Sequence, residues 1–313
     1  MSLLDSLKRE KRPNKEFEDK TLIERMKETV AHADAVLIGA GSGLSTSAGL
    51  SYNGKRFEEH FSDYIKKYGM EDMYSAGFYP FATQEEKWAY WSRHIFCNRY
   101  ELGATKVYQE LYDLVKAKNF FVLTTNVDHQ FSLSGFPEKR IFATQGDYGL
   151  FQCSRACHKK LYDNEAEVRA MIAHQKDCKV PKYLVPKCPV CGGEMEVNLR
   201  CDSYFVEDDS WNLAAERYTS FLEENRKRRI VFLELGVGMN TPGIIKYPFW
   251  RMTNQWENSF YICINKGQAW VPDDIKERSM CLDADIKDIL QLMGKGEEDD
   301  AGGKAGLSGK GTM

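Results

Sequence analysis

The chain has 313 residues, of which 42% are hydrophobic and 28% charged, and its formal net charge at pH 7 is -3. These values are typical of a globular protein with one large domain or two unequal ones, and they give no reason to expect nucleic acid as a partner. No apolar run approaches the roughly 20 residues of a membrane helix, and the N-terminus lacks the long apolar core of a secretory signal. Nine cysteines, an odd number, argue against a disulfide scaffold and predict a cytoplasmic protein.

The first regular element that the sequence predicts is a helix between Asp19 and His32, where apolar residues recur at helical spacing. Residues 1–18 are polar and basic and are expected to form a flexible arm. An apolar run at residues 35–38 follows the helix, and its lack of alternation predicts a strand covered on both faces, as in a parallel sheet. At the other end of the chain, residues 295–313 are Gly-rich and charged and are expected to be a disordered tail.

A glycine cluster follows this first strand directly. It contains Gly39, Gly41 and Gly43 and ends at Gly49. Because glycine has no side chain, a diphosphate could approach the backbone N–H groups at the start of the next helix. The cluster does not follow the strict G-x-G-x-x-G dinucleotide pattern, so a plain strand-to-helix turn is an equal alternative.

Residues 50–100 are rich in aromatic side chains. Most of these side chains are expected to pack in the core between short helices. The alternative is a flexible lid over a ligand, for which the segment next to the glycine cluster, residues 50–57, is the best candidate.

Polar residues follow the next predicted strands. A buried strand at residues 120–125 leads to Asn126 and Asp128, and a short strand at residues 140–143 precedes Gln145. In an open α/β sheet, ligands bind outside the carboxyl ends of the strands. Asn126 and Asp128 suit ribose hydroxyls, and the alternative is a turn with local side-chain capping.

Two later strands, at residues 230–235 and 260–265, continue the pattern, and the first of them runs into a second glycine turn at residues 236–241. Buried strands that alternate with amphipathic helices, with glycine turns at strand ends, predict a doubly wound parallel sheet. His129 lies near one strand end, and we expect a structural role for it because the sequence assigns it no partner.

Four cysteines are spaced like metal ligands: Cys153, Cys157, Cys188 and Cys191. Two pairs on tight turns can place four thiolates tetrahedrally around zinc. Cys178 or His158, which lie between the pairs, could replace one ligand, and the alternative is four unrelated buried thiols. Four protein ligands leave no open coordination position on the metal. We therefore expect a structural Zn²⁺ ion, which is required for folding and takes no part in catalysis.

Taken together and in order, these stretches resemble the sirtuin family over residues 20–294. The glycine cluster is similar to the family's first NAD-binding motif, residues 124–128 to its T-Q-N-x-D stretch, and the paired cysteines to its zinc module. Residues 199–207 stand where the family has its substrate-cleft strand, and the turns at 236–241 and 264–266 are similar to its later NAD-binding turns. The ordered combination is specific, although each glycine motif alone is weak.

The resemblance implies two domains with NAD in the cleft between them. The larger, a Rossmann-like NAD-binding domain, comprises residues 19–49, 101–149 and 202–294. The smaller, inserted and zinc-containing, comprises residues 50–100, which are helical, and residues 150–201, the zinc module.

The resemblance also implies the site residues. Asn126 and Gln145 are the expected catalytic pair, which positions the nicotinamide ribose, and Asp128 holds the site in shape. Residues expected to bind NAD are Gly39, Ala40, Gly41, Ser42, Ser45, Gly49, Arg56, Asn126, Asp128, Gln145, Gly236, Val237, Gly238, Asn240, Asn265, Lys266, Asp283 and Ala284.

Two departures from the family pattern carry the functional prediction. Gln145 stands where deacylating sirtuins have a histidine, and residues 49–57 replace the family's G-I-P-D-F-R loop. In both features the chain resembles the class M sirtuins, which are linked to macrodomain proteins. This resemblance implies ADP-ribosyl transfer to a lipoyl-carrier protein in an oxidative-stress response. A glutamine cannot act as a general base near neutral pH, but it can hold a ribose hydroxyl in place.

We therefore expect an NAD-dependent protein mono-ADP-ribosyltransferase whose acceptor is a lipoylated carrier protein, similar to the glycine-cleavage H protein. A macrodomain protein that removes ADP-ribose is a further expected partner. The alternatives are an NAD-dependent deacylase in which another group replaces the histidine, and a non-catalytic sensor of NAD or ADP-ribose. A hydride-transferring dehydrogenase ranks last, because no acid–base histidine is evident.

Overall fold

The computed structural model describes residues 15–239 and 242–294. Asn240, one of the expected NAD-binding residues, lies outside the described residues, as do residues 1–14 of the expected arm and the whole expected tail. The described strands are β1 (Ala35–Ala40), β2 (Phe120–Thr124), β3 (Ile141–Ala143), β4 (Gly146–Cys153), β5 (Tyr162–Asp163), β6 (Met195–Leu199), β7 (Ile230–Leu235), β8 (Ser259–Ile264) and β9 (Ser279–Leu282).

The described α-helices are α1 (Lys15–His32), α2 (Ser42–Ser47), α3 (Lys55–Tyr68), α4 (Met73–Ala76), α5 (Gln84–Ile95), α6 (Lys106–Val115), α7 (Gln130–Leu133), α8 (Glu165–His174), α9 (Asp209–Asn225), α10 (Lys246–Gln255) and α11 (Ile286–Gly294). A π turn, Phe96–Tyr100, continues α5, and short 3₁₀ turns lie at Glu138–Arg140, Lys182–Leu184 and Asp273–Arg278. None of the helices in this part of the chain is long and apolar enough to cross a membrane.

The larger sheet has six parallel strands in the order β3-β2-β1-β7-β8-β9. The chain first adds strands on one side of β1 and then returns to its other side, so the strand order reverses between β1 and β7. Every residue of β1, β2 and β7 is buried, because helices cover both faces. The predicted doubly wound α/β fold is confirmed, and ligands of such sheets bind at the carboxyl edge where the order reverses.

Two apolar clusters cover the two faces of this sheet. Helices α1, α6 and α11 pack on one face through side chains such as Met26, Leu111 and Leu290. Helices α9 and α10 pack on the other face through Phe221 and Phe249. The continuous apolar runs of the strands therefore have a partner on each side, which is the physical reason for their lack of alternation.

The second sheet has three antiparallel strands in the order β5-β4-β6. It begins at Gly146, which has a φ of 99° and where a Cβ atom would lie 1.9 Å from the backbone oxygen of Asn198. Only glycine fits there. Helices α5 and α8 pack on this sheet, with the rings of Trp88 and Phe151 4.8 Å apart. The division of the chain into two domains stays a prediction.

The aromatic side chains of residues 50–100 largely form a core of their own. Phe57, Phe61, Tyr64 and Tyr90 are buried together between α3 and α5. Neighbouring rings lie 5.4 to 5.7 Å apart, at the spacing of favourable stacked, tilted and edge-to-face pairs. The interpretation of these residues as core packing is confirmed.

Candidate functional site

The two glycine turns meet at the point where the strand order reverses. The backbone N–H of Gly43 donates to the oxygen of Gly236 at 2.9 Å. A Cβ atom at Gly41 would lie 2.7 Å from that oxygen, and one at Gly43 would lie 2.7 Å from the Gly236 Cα. Gly236 has a φ of 63°, in the left-handed region. The glycines therefore allow close backbone contact between β1 and β7, and they place the predicted NAD-binding turns on one surface.

The other predicted residues of the glycine cluster occupy different surroundings. Ala40 ends β1, Ser42 begins the six-residue helix α2, and Gly49 follows it with a φ of 92°. Gly39 lies inside β1, where a Cβ atom would lie 2.4 Å from the side chain of Ile245. Gly39 thus lets α10 approach the sheet.

The last two strands bring further predicted residues to the same edge: Asn265, Lys266, Asp283 and Ala284. The Asn265 amide donates to the backbone oxygen of Val237 at 2.9 Å, which ties the end of β8 to the second glycine turn. Asp283 accepts a hydrogen bond of 2.7 Å from the backbone of the β8 loop. Gly238 lies in the second glycine turn itself, beside the side chain of Gln268.

A buried chain of hydrogen bonds joins three of the predicted residues, and we call it the serine chain. Asn126 Nδ2 lies 3.2 Å from the Tyr108 hydroxyl, this hydroxyl lies 3.0 Å from Ser45 Oγ, and Ser45 Oγ lies 2.5 Å from Asp128 Oδ2. A carboxylate only accepts, so Ser45 must donate to Asp128, Tyr108 to Ser45, and Asn126 to Tyr108. Burial raises the pKa of Asp128, and the hydrogen bonds from Ser45 and Gln130 oppose this rise.

The serine chain determines which way the Asn126 amide faces. Its Nδ2 also donates to the backbone oxygen of Gly41 at 3.0 Å, so both amide protons are used. Among the described residues no donor reaches its Oδ1, which is left to accept from a ligand hydroxyl. Asn126 and Gln145 stand at equivalent places, each two residues beyond the paired residues Thr124 and Ala143 of β2 and β3. The two predicted catalytic side chains therefore share one edge of the sheet.

Arg56, another predicted NAD-binding residue, is engaged by protein groups. Its guanidinium donates to the backbone oxygen of Ser51 at 3.0 Å, to Asn98 Oδ1 at 2.9 Å and to the backbone oxygen of Cys97 at 2.8 Å. Arg56 therefore anchors residues 50–57 to the π turn, and a contact with NAD stays a prediction.

His129 has a partner that the sequence did not reveal. Its Nδ1 lies 2.6 Å from Asp147 Oδ2, and Arg99 Nε donates to Asp147 Oδ1 at 3.1 Å. Burial opposes ionisation of Asp147, but the hydrogen bond with His129 and the charge of Arg99 outweigh it and lower the pKa of the carboxyl group. His129 has a φ of 63°, which is uncommon for a residue other than glycine.

The four predicted metal ligands converge. The Sγ atoms of Cys153 and Cys191 are 3.7 Å apart, as are those of Cys157 and Cys188, and all four lie within 4.8 Å of one another. Tetrahedral zinc with Zn–S bonds of about 2.3 Å separates its sulfur atoms by about 3.8 Å. The cluster is therefore compatible with structural zinc.

The two substitute ligands do not join this set. The Cys178 thiol contacts Asp63 Oδ2 at 3.6 Å, away from the cluster. His158 Nε2 lies 3.5 Å from the Cys188 sulfur. His158 is therefore placed to form a hydrogen bond with the Cys188 thiolate, and the four cysteines remain the complete ligand set.

The comparisons with known proteins decide the family. No family model matches the chain. A "Protein ADP-ribosyltransferase" of Staphylococcus aureus is 37% identical over 268 residues, which cover 85% of each chain. The chain belongs to the protein ADP-ribosyltransferases with a sirtuin fold. The family and the enzyme class predicted from the sequence are thus confirmed.

Further relatives of this ADP-ribosyltransferase agree. A "Probable bifunctional ADP-ribose hydrolase/ADP-ribosyltransferase" of Fusarium oxysporum f. sp. cubense is 31% identical over 285 residues, and the match spans 47% of that protein. Sir2Tm bound to a propionylated peptide superposes with a TM-score of 0.55, 16% identity, and 86% and 95% of the two chains covered. A Sir2 homolog–NAD complex gives a TM-score of 0.57, 16% identity, and coverage of 86% and 92%. These two structures show the fold.

Sequence reasoning missed two residues that contact the predicted catalytic pair, Asn126 and Gln145. Tyr108 lies on the buried face of α6, and its helical spacing could have indicated burial but not the partner of its hydroxyl. The backbone N–H of Arg200 donates to the backbone oxygen of Gln145 at 3.0 Å, and its guanidinium lies 4.3 Å from the ring centre of Phe205. Arg200 belongs to the predicted cleft strand, which is the signal that could have drawn attention to it.

Proposed function

We propose that the chain is an NAD-dependent protein mono-ADP-ribosyltransferase whose NAD site lies at the carboxyl edge of the six-stranded sheet. The observation that carries this proposal is the 37% identity to a protein ADP-ribosyltransferase over 85% of the chain. The meeting of the two glycine turns at the strand-order reversal supports the location, since nucleotides bind there in doubly wound sheets. A solved structure with the same fold is described as an NAD complex.

Asn126 and Gln145 would position the nicotinamide ribose. The free Oδ1 of Asn126 can accept from a ribose hydroxyl, and the side-chain amide of Gln145 has no partner among the described residues. The bond between the anomeric carbon and nicotinamide breaks, and its electron pair leaves with nicotinamide. An acceptor nucleophile attacks that carbon and releases its proton to solvent. Positioning and stabilisation of the developing positive charge are what this step needs from the protein.

The remaining predicted residues would bind the rest of NAD. The contacts between the glycine turns and the β8 loop support this assignment, because they bring residues of four strands to one edge. The assigned residues are Gly39, Ala40, Gly41, Ser42, Ser45, Gly49, Arg56, Asp128, Gly236, Val237, Gly238, Asn240, Asn265, Lys266, Asp283 and Ala284.

The acceptor would be a lipoylated carrier protein, and the setting an oxidative-stress response in the cytoplasm. The sequence resemblance to class M sirtuins supports the acceptor and the stress response, and the odd number of cysteines supports the cytoplasm. A macrodomain protein would remove the ADP-ribose. The Fusarium relative supports this partner, because its name joins an ADP-ribose hydrolase with an ADP-ribosyltransferase.

Zinc would stabilise the smaller sheet and take no part in the chemistry. The four cysteines fit it by donor type and by their 3.7 Å sulfur separations. Backbone N–H groups of the turn at Cys191 lower the pKa of Cys188 to about 6, which favours the thiolate that binds zinc.

The experiment that tests the proposal uses NAD labelled in its adenylate, the purified protein, and a carrier protein in lipoylated and unmodified forms. We expect label to be transferred covalently to the lipoylated carrier, with one nicotinamide released for each label transferred. Release of nicotinamide with loss of the acyl group, and no stable label on the carrier, would support a deacylase instead. Bound but intact NAD would support a sensor.

A further inference from the structure

A second buried chain of hydrogen bonds lies beside the serine chain, and we call it the tyrosine chain. The hydroxyls of Tyr52 and Tyr148 are 2.8 Å apart, and the Tyr148 hydroxyl lies 2.9 Å from His94 Nε2. On the far side of the ring, His94 Nδ1 lies 3.1 Å from the Tyr90 hydroxyl, which lies 2.6 Å from the backbone oxygen of Met73. Four side chains from three parts of the sequence thus form one unbroken path.

The carbonyl group at the end of this path fixes every proton in it. A carbonyl oxygen only accepts, so Tyr90 must give its single proton to Met73. The Tyr90 oxygen then accepts from His94 Nδ1, and the neutral imidazole presents a bare Nε2 to Tyr148. Tyr148 donates to that nitrogen and accepts from Tyr52. The proton of Tyr52 therefore points inward, and its oxygen can only accept from a ligand.

The protein holds this arrangement at physiological pH. Burial, together with the nearby charge of Arg56, lowers the pKa of His94 to about 3, so the ring stays neutral. Burial raises the pKa of Tyr52 to about 12, so its hydroxyl keeps its proton. Neither His94 nor Tyr52 therefore changes its charge near neutral pH.

The Tyr52 end of the tyrosine chain is close to the residues that we propose to bind the nicotinamide end of NAD. The backbone N–H of Tyr148 donates to the oxygen of Val127 at 3.0 Å, and Val127 separates Asn126 from Asp128. The negative charge of Asp128 acts on the Tyr52 hydroxyl and raises its pKa further. Tyr52 itself is half-buried in the segment that follows the first glycine cluster.

We propose that Tyr52 is a specificity-determining residue, which selects a carboxamide over a carboxylate on the pyridine ring of the dinucleotide by accepting a hydrogen bond from the amide N–H. The proposal rests on the proposed function of the site. A carboxamide offers the N–H that an acceptor needs, whereas a carboxylate offers only acceptors and adds a negative charge beside Asp128. A ribose hydroxyl can turn either way, so an oxygen of fixed polarity would not discriminate among hydroxyls. An oxygen that can only accept discriminates between ligand groups that can only donate and ligand groups that can only accept.

The test compares binding of NAD with binding of nicotinic acid adenine dinucleotide, in which a carboxylate replaces the carboxamide. Dissociation constants of the full-length protein are measured by calorimetry. We expect the wild-type protein to bind NAD at least about tenfold more tightly than the analogue, because the wrong group leaves an unpaired acceptor and meets a like charge. Tyr52→Phe should weaken NAD binding and relieve the analogue of the unpaired acceptor, so the ratio of the two constants should fall to the part that the charge of Asp128 maintains.

Two further variants separate polarity from packing. Tyr148→Phe removes the acceptor of the Tyr52 proton, which can then turn toward the ligand, so this variant should bind the carboxylate analogue more tightly than the wild type does. Tyr64→Phe is the matched control, because the buried Tyr64 hydroxyl has no hydrogen-bond partner within the described residues. This control should keep the wild-type ratio.

The outcomes distinguish the inference from the function on which it rests. A wild-type protein that binds the two dinucleotides equally, or a Tyr52→Phe protein that keeps the wild-type ratio while folded, overturns the role of Tyr52 and leaves the proposed function standing. A wild-type protein that binds neither dinucleotide overturns both. Thermal unfolding of each variant establishes that the constants refer to folded protein.

Discussion

The serine chain and the tyrosine chain each orient a row of hydrogen-bond donors, but they end on different kinds of acceptor. The serine chain ends on the carboxylate of Asp128, and the tyrosine chain ends on the backbone oxygen of Met73. In each, a terminal group that can only accept aligns every donor behind it. The result at the proposed site is an oxygen atom that can accept a hydrogen bond and that no donor among the described residues reaches, Asn126 Oδ1 in one chain and the Tyr52 oxygen in the other. The terminal acceptor of a buried network can therefore determine whether a group in the ligand site donates or accepts, although the ligand does not contact that acceptor.

The two chains differ in the charge of their ends, and this predicts different sensitivities. Loss of a hydrogen-bond donor in the serine chain leaves a buried carboxylate oxygen without a partner. Loss of a partner in the tyrosine chain strands only neutral groups, which costs less. Asp128 in the serine chain has a raised pKa and His94 in the tyrosine chain has a lowered one, so burial disfavours the charged form of both groups.

The largest effect is expected from Ser45→Ala, which removes the 2.5 Å hydrogen bond to Asp128. We expect a loss of about 2 kcal/mol in the free energy of unfolding, since a buried carboxylate loses a donor. Urea denaturation at pH 7 measures it. Thr46→Ala is the control, because Thr46 is an exposed neighbour in the same helix, and it should change stability by less than about 0.5 kcal/mol. Equal losses in the two variants would contradict the serine chain.

A smaller effect, visible only in acid, is expected from His94→Gln. Glutamine can donate to Tyr90 and accept from Tyr148 without titrating. The unfolded chain binds a proton at His94 near pH 6.5, and the folded chain only near pH 3. The stability that this difference contributes is present above pH 6.5 and is lost as the pH falls toward 3. Relative to the variant, the wild type should lose about 1.4 kcal/mol between pH 7.5 and pH 5.5.

Parallel stability curves for the wild type and His94→Gln between pH 7.5 and pH 5.5 would rule out a buried neutral histidine. The same urea titrations, repeated at half-unit intervals of pH, provide this measurement.

The smallest effect is expected from Tyr108→Phe, which removes a neutral hydroxyl from the middle of the serine chain. We expect a loss of about 1 kcal/mol in stability. NAD binding should weaken as well, because the Asn126 amide loses one of the two acceptors that orient it. The comparison with Tyr64→Phe, which removes a hydroxyl without a partner, isolates the hydrogen bond from the packing of the ring. Unchanged NAD binding in Tyr108→Phe would contradict the orienting role.

The larger sheet could be predicted from the sequence because each of its strands can be recognised from its own residues, without knowledge of the neighbouring strands. The apolar runs of β1, β2 and β7 are buried on both faces, so each run indicates its own environment. The polar residues Asn126, Asp128 and Gln145 could be predicted as neighbours for a related reason. The carboxyl ends of parallel strands meet at one edge.

The two chains show where such reasoning stops. Tyr108 and Ser45 are 63 residues apart, and Tyr52 and Tyr148 are 96 residues apart. Helical spacing can place Tyr108 on a buried face, but the partner of its hydroxyl depends on how α6 packs against the sheet. His94 could not be found at all, since a histidine in an aromatic-rich helix carries no local sign of what its two nitrogens face.

The most direct test of the central claim is release of nicotinamide from NAD by Asn126→Ala and Gln145→Ala, each measured beside the wild type and checked for folding. If these two side chains position the nicotinamide ribose, turnover should fall by about 100-fold in each variant, the loss typical of a misplaced reacting group. Normal turnover in both folded variants would show that NAD is cleaved elsewhere, and it would contradict the assignment of this edge of the sheet as the active site.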